Sequence, residues 1–226
     1  MAAEAVTVLV RYEDEALAIV SKPAGLVAHS APGITGPTLV DELARRWPEN
    51  HAFDHVRYGL VHRLDKETSG LLLVARSVES LAALKELFAT RAVTKRYLAV
   101  VKGVPKERRG VIAAPVGRHA SQRTKMAVTP AGKEATTRYE VTSENGTYAV
   151  LNVWITSGRT HQIRVHLAAL GHPLVGEATY AEGSGRHLLH ASELSFTHPV
   201  SRELLTVTDE PAADIVAFLR REKLNA

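Results

Sequence analysis

Cysteine is absent from the 226 residues. Disulfides, zinc–thiolate centres and thiol nucleophiles are therefore excluded. No apolar run approaches the roughly 18 residues of a membrane span, so no membrane partner is expected. Met1 to Val10 carries Glu4 and no basic flank ahead of its short apolar stretch, unlike a secretory signal. A cytoplasmic, monomeric protein is the resulting expectation. A glycine-rich phosphate loop of the P-loop kind is missing as well. The 11 histidines do not form a ligand set: His161 and His166, five apart, point to different sides of a helix, and His62 near Asp65 lacks a third ligand. No metal site is predicted. Without repeats, low-complexity tracts or an obvious linker, the chain reads as a single domain over residues 1–226, or as two subdomains sharing a core.

What the chain does contain is charge in an uneven arrangement. Its net charge is only +4, with 45% hydrophobic and 23% charged residues. Met1 to Phe53 nets −3, and Glu134 to Ala226 also nets −3. Asp54 to Lys133 holds 16 basic against 6 acidic residues and nets +10. A positive middle between mildly acidic flanks points to a polyanion-binding face, and nucleic acid is the most economical partner.

The densest chemistry sits in that middle, at His62-Arg63-Leu64-Asp65-Lys66-Glu67-Thr68-Ser69-Gly70. It lies between the apolar runs Tyr58 to Val61 and Leu71 to Ala75, which makes it a surface segment held between buried strands. Two readings fit it locally. Asp65 could cap a short helix in a solvated turn. Alternatively it is a nucleophilic or general-base carboxylate kept ionised by Arg63 and Lys66.

Val6 to Arg11 and Ala16 to Lys22 alternate as two strands across Glu13-Asp14-Glu15. The chain breaks at Pro32, Gly33, Gly36 and Pro37. A helix over Thr38 to Trp47 follows, with Leu39, Leu43 and Trp47 on its core face. Leu71 to Ala75 is a buried strand. Ser77 caps a helix to about Arg91, with Leu81, Leu84, Leu87 and Phe88 inward. Lys95 to Gly103 is a strand with Tyr97, Ala99 and Val101 on one face. Arg118, His119, Arg123 and Lys125 fall in a segment too irregular for an element; such a loop suits phosphate contacts or plain solvated surface equally. Tyr139 to Thr142 and Thr147 to Ile155 flank an Asn145-Gly146 hairpin. A helix from about Thr160 ends before Gly171, with Ile163, Leu167 and Leu170 buried. Its Arg164 has no acid four residues away and needs a partner elsewhere. His187 to Phe196 reads as a strand pair and Pro211 to Leu224 as a terminal helix. Strands in hairpins with interspersed helices predict an α+β fold with a mostly antiparallel sheet.

Four separated segments together resemble the RluA-type pseudouridine synthases: Lys22-Pro23-Ala24-Gly25-Leu26-Val27-Ala28-His29, the central segment, Lys95-Arg96-Tyr97-Leu98-Ala99-Val100-Val101-Lys102-Gly103, and Gly158-Arg159-Thr160-His161-Gln162-Ile163-Arg164-Val165-His166-Leu167 running on to Gly176. They stand in the family's order. The resemblance implies a mixed, mainly antiparallel sheet flanked by helices and loops, with a central RNA-binding cleft. It also implies isomerisation of uridines in ribosomal or transfer RNA, without metal or organic cofactor. Asp65 falls on the family's catalytic aspartate, Tyr97 on its active-site tyrosine, and Arg164 on the arginine that pairs with the aspartate. The choice of Arg164 over Arg159 stays open. Arg63 matches the position that holds the displaced nucleotide, and Ile163 an apolar position against the base. His62, Thr68 and Arg159 join them as candidate substrate contacts, with Arg118 and Arg123 as candidate phosphate contacts.

Two departures stand out. The first family segment begins almost at once, which leaves no room here for the S4-like RNA-binding domain of many members. Glu177 stands where Asp is expected, and Ala181 where Gly is common; both are read as lying outside the chemistry. The competing class is a non-catalytic RNA-binding module. Such a protein would have no need for Asp65, Tyr97 and Arg164 all to be intact.

Overall fold

The computed structural model describes residues 8–29, 36–48, 57–122 and 124–226. Val6, Pro32, Gly33 and the candidate phosphate contact Arg123 lie outside the described residues. The fold is α+β, a mostly antiparallel sheet flanked by helices. The chain divides into two compact units: Met1–Val93 with Glu193–Glu210, and Thr94–Ser192 with Pro211–Ala226.

In the first unit β1 (Leu9–Glu13), β2 (Leu17–Lys22) and β3 (Ser69–Ala75) pair antiparallel in succession. The second half of β10 (Leu189–Thr197) comes next in order, and β11 (Leu204–Thr208) pairs antiparallel with it. Every residue of β3 is buried, which is why it reads as an unbroken apolar run rather than an alternating one. Helix α1 (Leu39–Arg46) starts at a capping box: Thr38 Oγ1 accepts from Asp41 N, and Asp41 Oδ2 accepts from Thr38 N. Helix α2 (Val78–Ala89) starts at Ser77, again with reciprocal capping by Ser80. Leu84 of α2 is fully buried against Leu17, Leu71, Leu73 and Phe196. Leu81, Leu87 and Phe88 pack around that core partly exposed.

In the second unit β4 (Thr94–Lys102) pairs with β9 (Tyr148–Ile155), β9 with β8 (Thr136–Glu144), and β8 with β5 (Arg109–Ala113), all antiparallel. The first half of β10 lies beyond β4. The β8–β9 turn is built by its Asn-Gly: Asn145 Oδ1 accepts from Thr147 N and Tyr148 N, and Gly146 takes a left-handed φ of 83°. A separate ribbon joins β6 (Val116–Arg118) to β7 (Met126–Val128). Helix α4 (Ala213–Arg221) lays Ile215, Phe218 and Leu219 on Leu98, Val100 and Val150. Helix α3 (Gln162–Ala169) is closed by Gly171 at φ 87°, where a left-handed residue lets His172 N reach Leu167 O.

Three expectations need correction, and one strand was not expected. The segment around Arg118 and Lys125 is not irregular throughout, because β6 and β7 pair across it; three-residue strands are too short to show a period. His187 to Phe196 is one strand, β10, whose hairpin partner β11 comes later in the chain. Strand β5 went unread, because its half-exposed positions carry no apolar stripe. Leu170 is 40% exposed rather than buried, since it caps the C-terminus of α3. Gln162, Arg164 and His166 are buried on that helix alongside Ile163 and Leu167. A short helix covered on most sides has no single apolar stripe to read.

Leu84→Ala should cost about 2–5 kcal/mol, against less than about 0.5 kcal/mol for Val78→Ala on the exposed side of the same helix. Urea denaturation of the two variants checks this, and equal midpoints would mean that α2 does not dock through Leu84.

Candidate active site

The central segment is held on both sides. Ahead of it, Leu60 bridges Val74 and Ala75 N donates to Gly59 O at 2.9 Å, so the lead-in lies along β3. Tyr58 and Gly59 take positive φ, 44° and 81°, where the chain bends into that position. His62 then turns inward. Its Nε2 accepts from Leu73 N at 2.9 Å and its ring stacks on Phe88 at 4.8 Å. An accepting Nε2 requires the neutral imidazole with its proton on Nδ1. His62 thereby braces the segment against β3 and α2.

Leu64 is buried, Arg63 exposed and Asp65 half-buried between them. Thr68 N donates to Asp65 O at 3.1 Å, closing a tight turn at Lys66-Glu67. No helix begins at Asp65; the next one in the chain is α2. That removes the helix-capping reading of Asp65. Thr68 and Ser69 are buried as the segment enters β3.

Beneath the turn lies Lys22, the last residue of β2, with no exposed surface. Its Nζ donates to Pro23 O, Leu26 O and Lys66 O at 2.8, 2.9 and 2.9 Å. Gly25 N adds a second bond to Lys66 O, and its φ of 83° lets the chain turn back to do so. A buried ammonium is tolerable only with its donors satisfied, and here that requirement locks the Pro23-Ala24-Gly25 loop to the Asp65 turn. At the loop's far end, burial and the charges of Arg63 and Arg57 push the His29 imidazole below its ordinary value. The surroundings of Arg63 are thus electropositive. The sequence signals the role of Lys22 only as a lysine closing a largely apolar strand.

In the second unit Tyr97 is 6% exposed on β4, opposite Val153 of β9. Lys95 precedes it on the same strand face, and burial brings its amine down to about 8. The start of α3 hangs on Gln162. Its Oε1 accepts from Ser157 Oγ and Arg159 N, while its Nε2 donates to Thr136 O and Thr137 Oγ1. Thr137 Oγ1 also meets His166 Nδ1 at 2.9 Å, and His166 Nε2 meets Ala114 O at 3.0 Å. Burial lowers the His166 pKa, so the ring is neutral, donating from Nε2 and accepting at Nδ1. These bonds fix Arg159, Ile163 and Arg164 relative to β8.

Arg159 is half-buried and donates to Glu134 O at 3.3 Å. It lines a recess of about 380 Å³ with Lys133, Gly158 and Met126. Ile163 is buried, and Arg118 stands exposed on β6. Arg164 has the partner its sequence context demanded. Nε and Nη2 bind Glu177 Oε2 and Oε1 at 2.7 and 2.8 Å, and Nη2 also donates to Thr179 Oγ1. Glu177 has no exposed surface. Burial raises its carboxyl pKa, but the hydrogen bonds and charge of Arg164 with the Thr179 amide outweigh that and hold it well below the usual carboxylate range. Glu177, a departure from the family pattern, thus grips one of the candidate residues directly. Of the candidates, His62, Arg63, Asp65 and Thr68 come together in the first unit. In the second, Arg159, Ile163 and Arg164 share the start of α3, with Tyr97 on β4 and Arg118 on β6.

The chain is 41% identical over 229 residues to the ribosomal large subunit pseudouridine synthase D of Nitrosomonas europaea, covering 96% of this chain. It is 42% identical over 206 residues to an uncharacterized RNA pseudouridine synthase of Chloroflexus aurantiacus, covering 89%. The chain spans 65% of the length of each of these relatives. Among solved structures it superposes on human RNA pseudouridylate synthase domain containing 4 with a TM-score of 0.79, at 26% identity, covering 96% of this chain and 94% of that one. Residues 16–169 match the model of the RNA pseudouridylate synthase family, a stretch that takes in the Asp65 turn, β4 with Tyr97 and α3 with Arg164. The chain belongs to the RNA pseudouridylate synthase family.

Proposed function

We propose that this chain isomerises uridine to pseudouridine in RNA, with Asp65 as the catalytic carboxylate. The observation that carries the reading is the family match over residues 16–169, which contains Asp65, Tyr97 and Arg164 together. The reaction breaks the N1–C1′ bond and forms a C5–C1′ bond. The C5 proton is lost and N1 gains one, so no electrons are exchanged and no oxidant is needed. One carboxylate suffices to start it, by attack on C1′, by attack on C6, or by taking the 2′-proton to form a glycal. Arg164 orients the Asp65 carboxylate and holds it in one rotamer. Tyr97 stacks on the base, and its phenolic oxygen receives the C5 proton late in the reaction.

The base must leave its stack to reach the carboxylate. Exposed Arg63, in its electropositive surroundings, fills the vacated space and contacts phosphate. His62 and Thr68 shape the turn that carries Asp65, Ile163 lies against the base, and Arg159, Arg118 and Arg123 hold the flanking backbone. The RNA is ribosomal or transfer RNA. The relative from Nitrosomonas europaea is named for the large ribosomal subunit, so ribosomal RNA is tested first. A monomer suffices for these roles.

Tritium release from RNA labelled at uridine C5 tests the reading, using ribosomal and transfer RNA pools from cells lacking this protein. Wild type should release tritium from one pool, and Asp65→Asn should fall to background while still binding RNA. Turnover by Asp65→Asn would remove Asp65 from the chemistry. Tyr97→Phe should slow the reaction by about 10²–10⁴-fold; an unchanged rate would dismiss its hydroxyl as the base. No release by wild type, with salt-sensitive RNA binding intact, would favour a non-catalytic binding module.

A further inference from the structure

Glu177 is the one fully buried acid among the described residues, and its whole carboxylate is spent on Arg164 and the turn that follows. Its Oε1 accepts from Thr179 N at 2.9 Å as well as from Arg164 Nη2. The acid is thus anchored to its own backbone before it grips the arginine. Tyr180 acts from another direction: the Arg164 guanidinium lies 5.2 Å from the centre of its ring. The Tyr180 hydroxyl is held in turn by Met126 N at 3.1 Å and by His161 Nδ1 at 2.5 Å. One group sets the guanidinium in its plane and the other sets its face.

We propose that Glu177 is a positioning residue for the reaction, acting through Arg164. This rests on the proposed function, in which Arg164 orients the Asp65 carboxylate. A guanidinium is rigid and planar, so gripping the Nε/Nη2 edge also determines where the Nη1 donors point. An arginine on a flexible side chain pays for that direction in rotamer entropy each time it is used. Arg164 is directed in advance. The pairing has an electrostatic consequence too. With Glu177 beside it, Arg164 presents oriented N–H dipoles on a neutralised pair rather than an uncompensated charge. Such a donor steers a carboxylate without clamping it as a full counter-ion would, which suits a carboxylate that must react.

Glu177→Gln keeps the volume but replaces one acceptor with a donor, so the two-point grip is lost. With saturating enzyme and C5-tritiated RNA, the single-turnover rate should fall by about 10²-fold, the cost of misplacing a catalytic group by about 1 Å. RNA affinity should change less than about threefold, a split that a general loss of structure would not produce. In an Arg164→Met background, Glu177→Gln should cause no further slowing, because residues acting through one another are not additive. A folded Glu177→Gln protein at the wild-type rate overturns the inference, and so does an equal loss in both backgrounds. If that variant does not fold, Thr179→Val, which removes the hydroxyl that accepts from Arg164 Nη2 and leaves the carboxylate in place, takes its place. It should lose rate by a smaller factor without losing affinity, and a wild-type rate would overturn the proposal. Wild type without tritium release, or Arg164→Met as fast as wild type, would instead sink the underlying functional reading.

Discussion

The Lys22 ammonium is the contact on which the candidate catalytic turn depends. It stands at the end of β2, inside the protein, and its three carbonyl partners come from two separated loops. Neither loop has the regular hydrogen bonding of a strand or helix at that point. Removing the ammonium would take away the donor to the Leu26 carbonyl, the buried one of the three, at about 1–3 kcal/mol. The protein therefore holds the candidate segment with a buried charge below it, and a surface turn acquires the definition of a core element. His62 completes the arrangement from the other side by tying the segment to Leu73 and Phe88.

A parallel solution operates on α3. Three polar side chains, Gln162, Arg164 and His166, are buried on a helix of only eight residues. Each is matched: Gln162 to β8 and the preceding turn, His166 to Thr137 and Ala114, Arg164 to Glu177. Buried polar groups add little net stability, and leaving one unmatched is costly. Their effect is to allow one placement of the helix and no neighbouring one. Loss of either member of the Arg164–Glu177 pair would strand a buried charge, at about 3–5 kcal/mol.

Much of this was legible without coordinates. Buried runs such as Leu71 to Ala75, the Ser77 cap, the Asn145-Gly146 turn and the Gly171 stop all act within a few residues, and the structure follows them. What went unread was either too short or too exposed to carry a period. β6 and β7 have three residues each, and β5 has no buried stripe. At the candidate site, clustering of charge made the Asp65 segment conspicuous. Glu177 and Lys22 were not, because an acid after Val175-Gly176 and a lysine before Pro23 look like surface residues until their neighbours are known.

Sequence alone determined the residue types, the order of the four family segments, the positive middle of the chain and most element positions, since each follows from local chemistry. It also required that Arg164 find a partner outside its own helix. Only the tertiary structure decided that the partner is Glu177, that Lys22 points inward, and that His62 faces Leu73 rather than solvent. Those are matters of burial. Whether a charged side chain meets water or another buried group depends on residues brought near by folding, and no spacing along the chain encodes that.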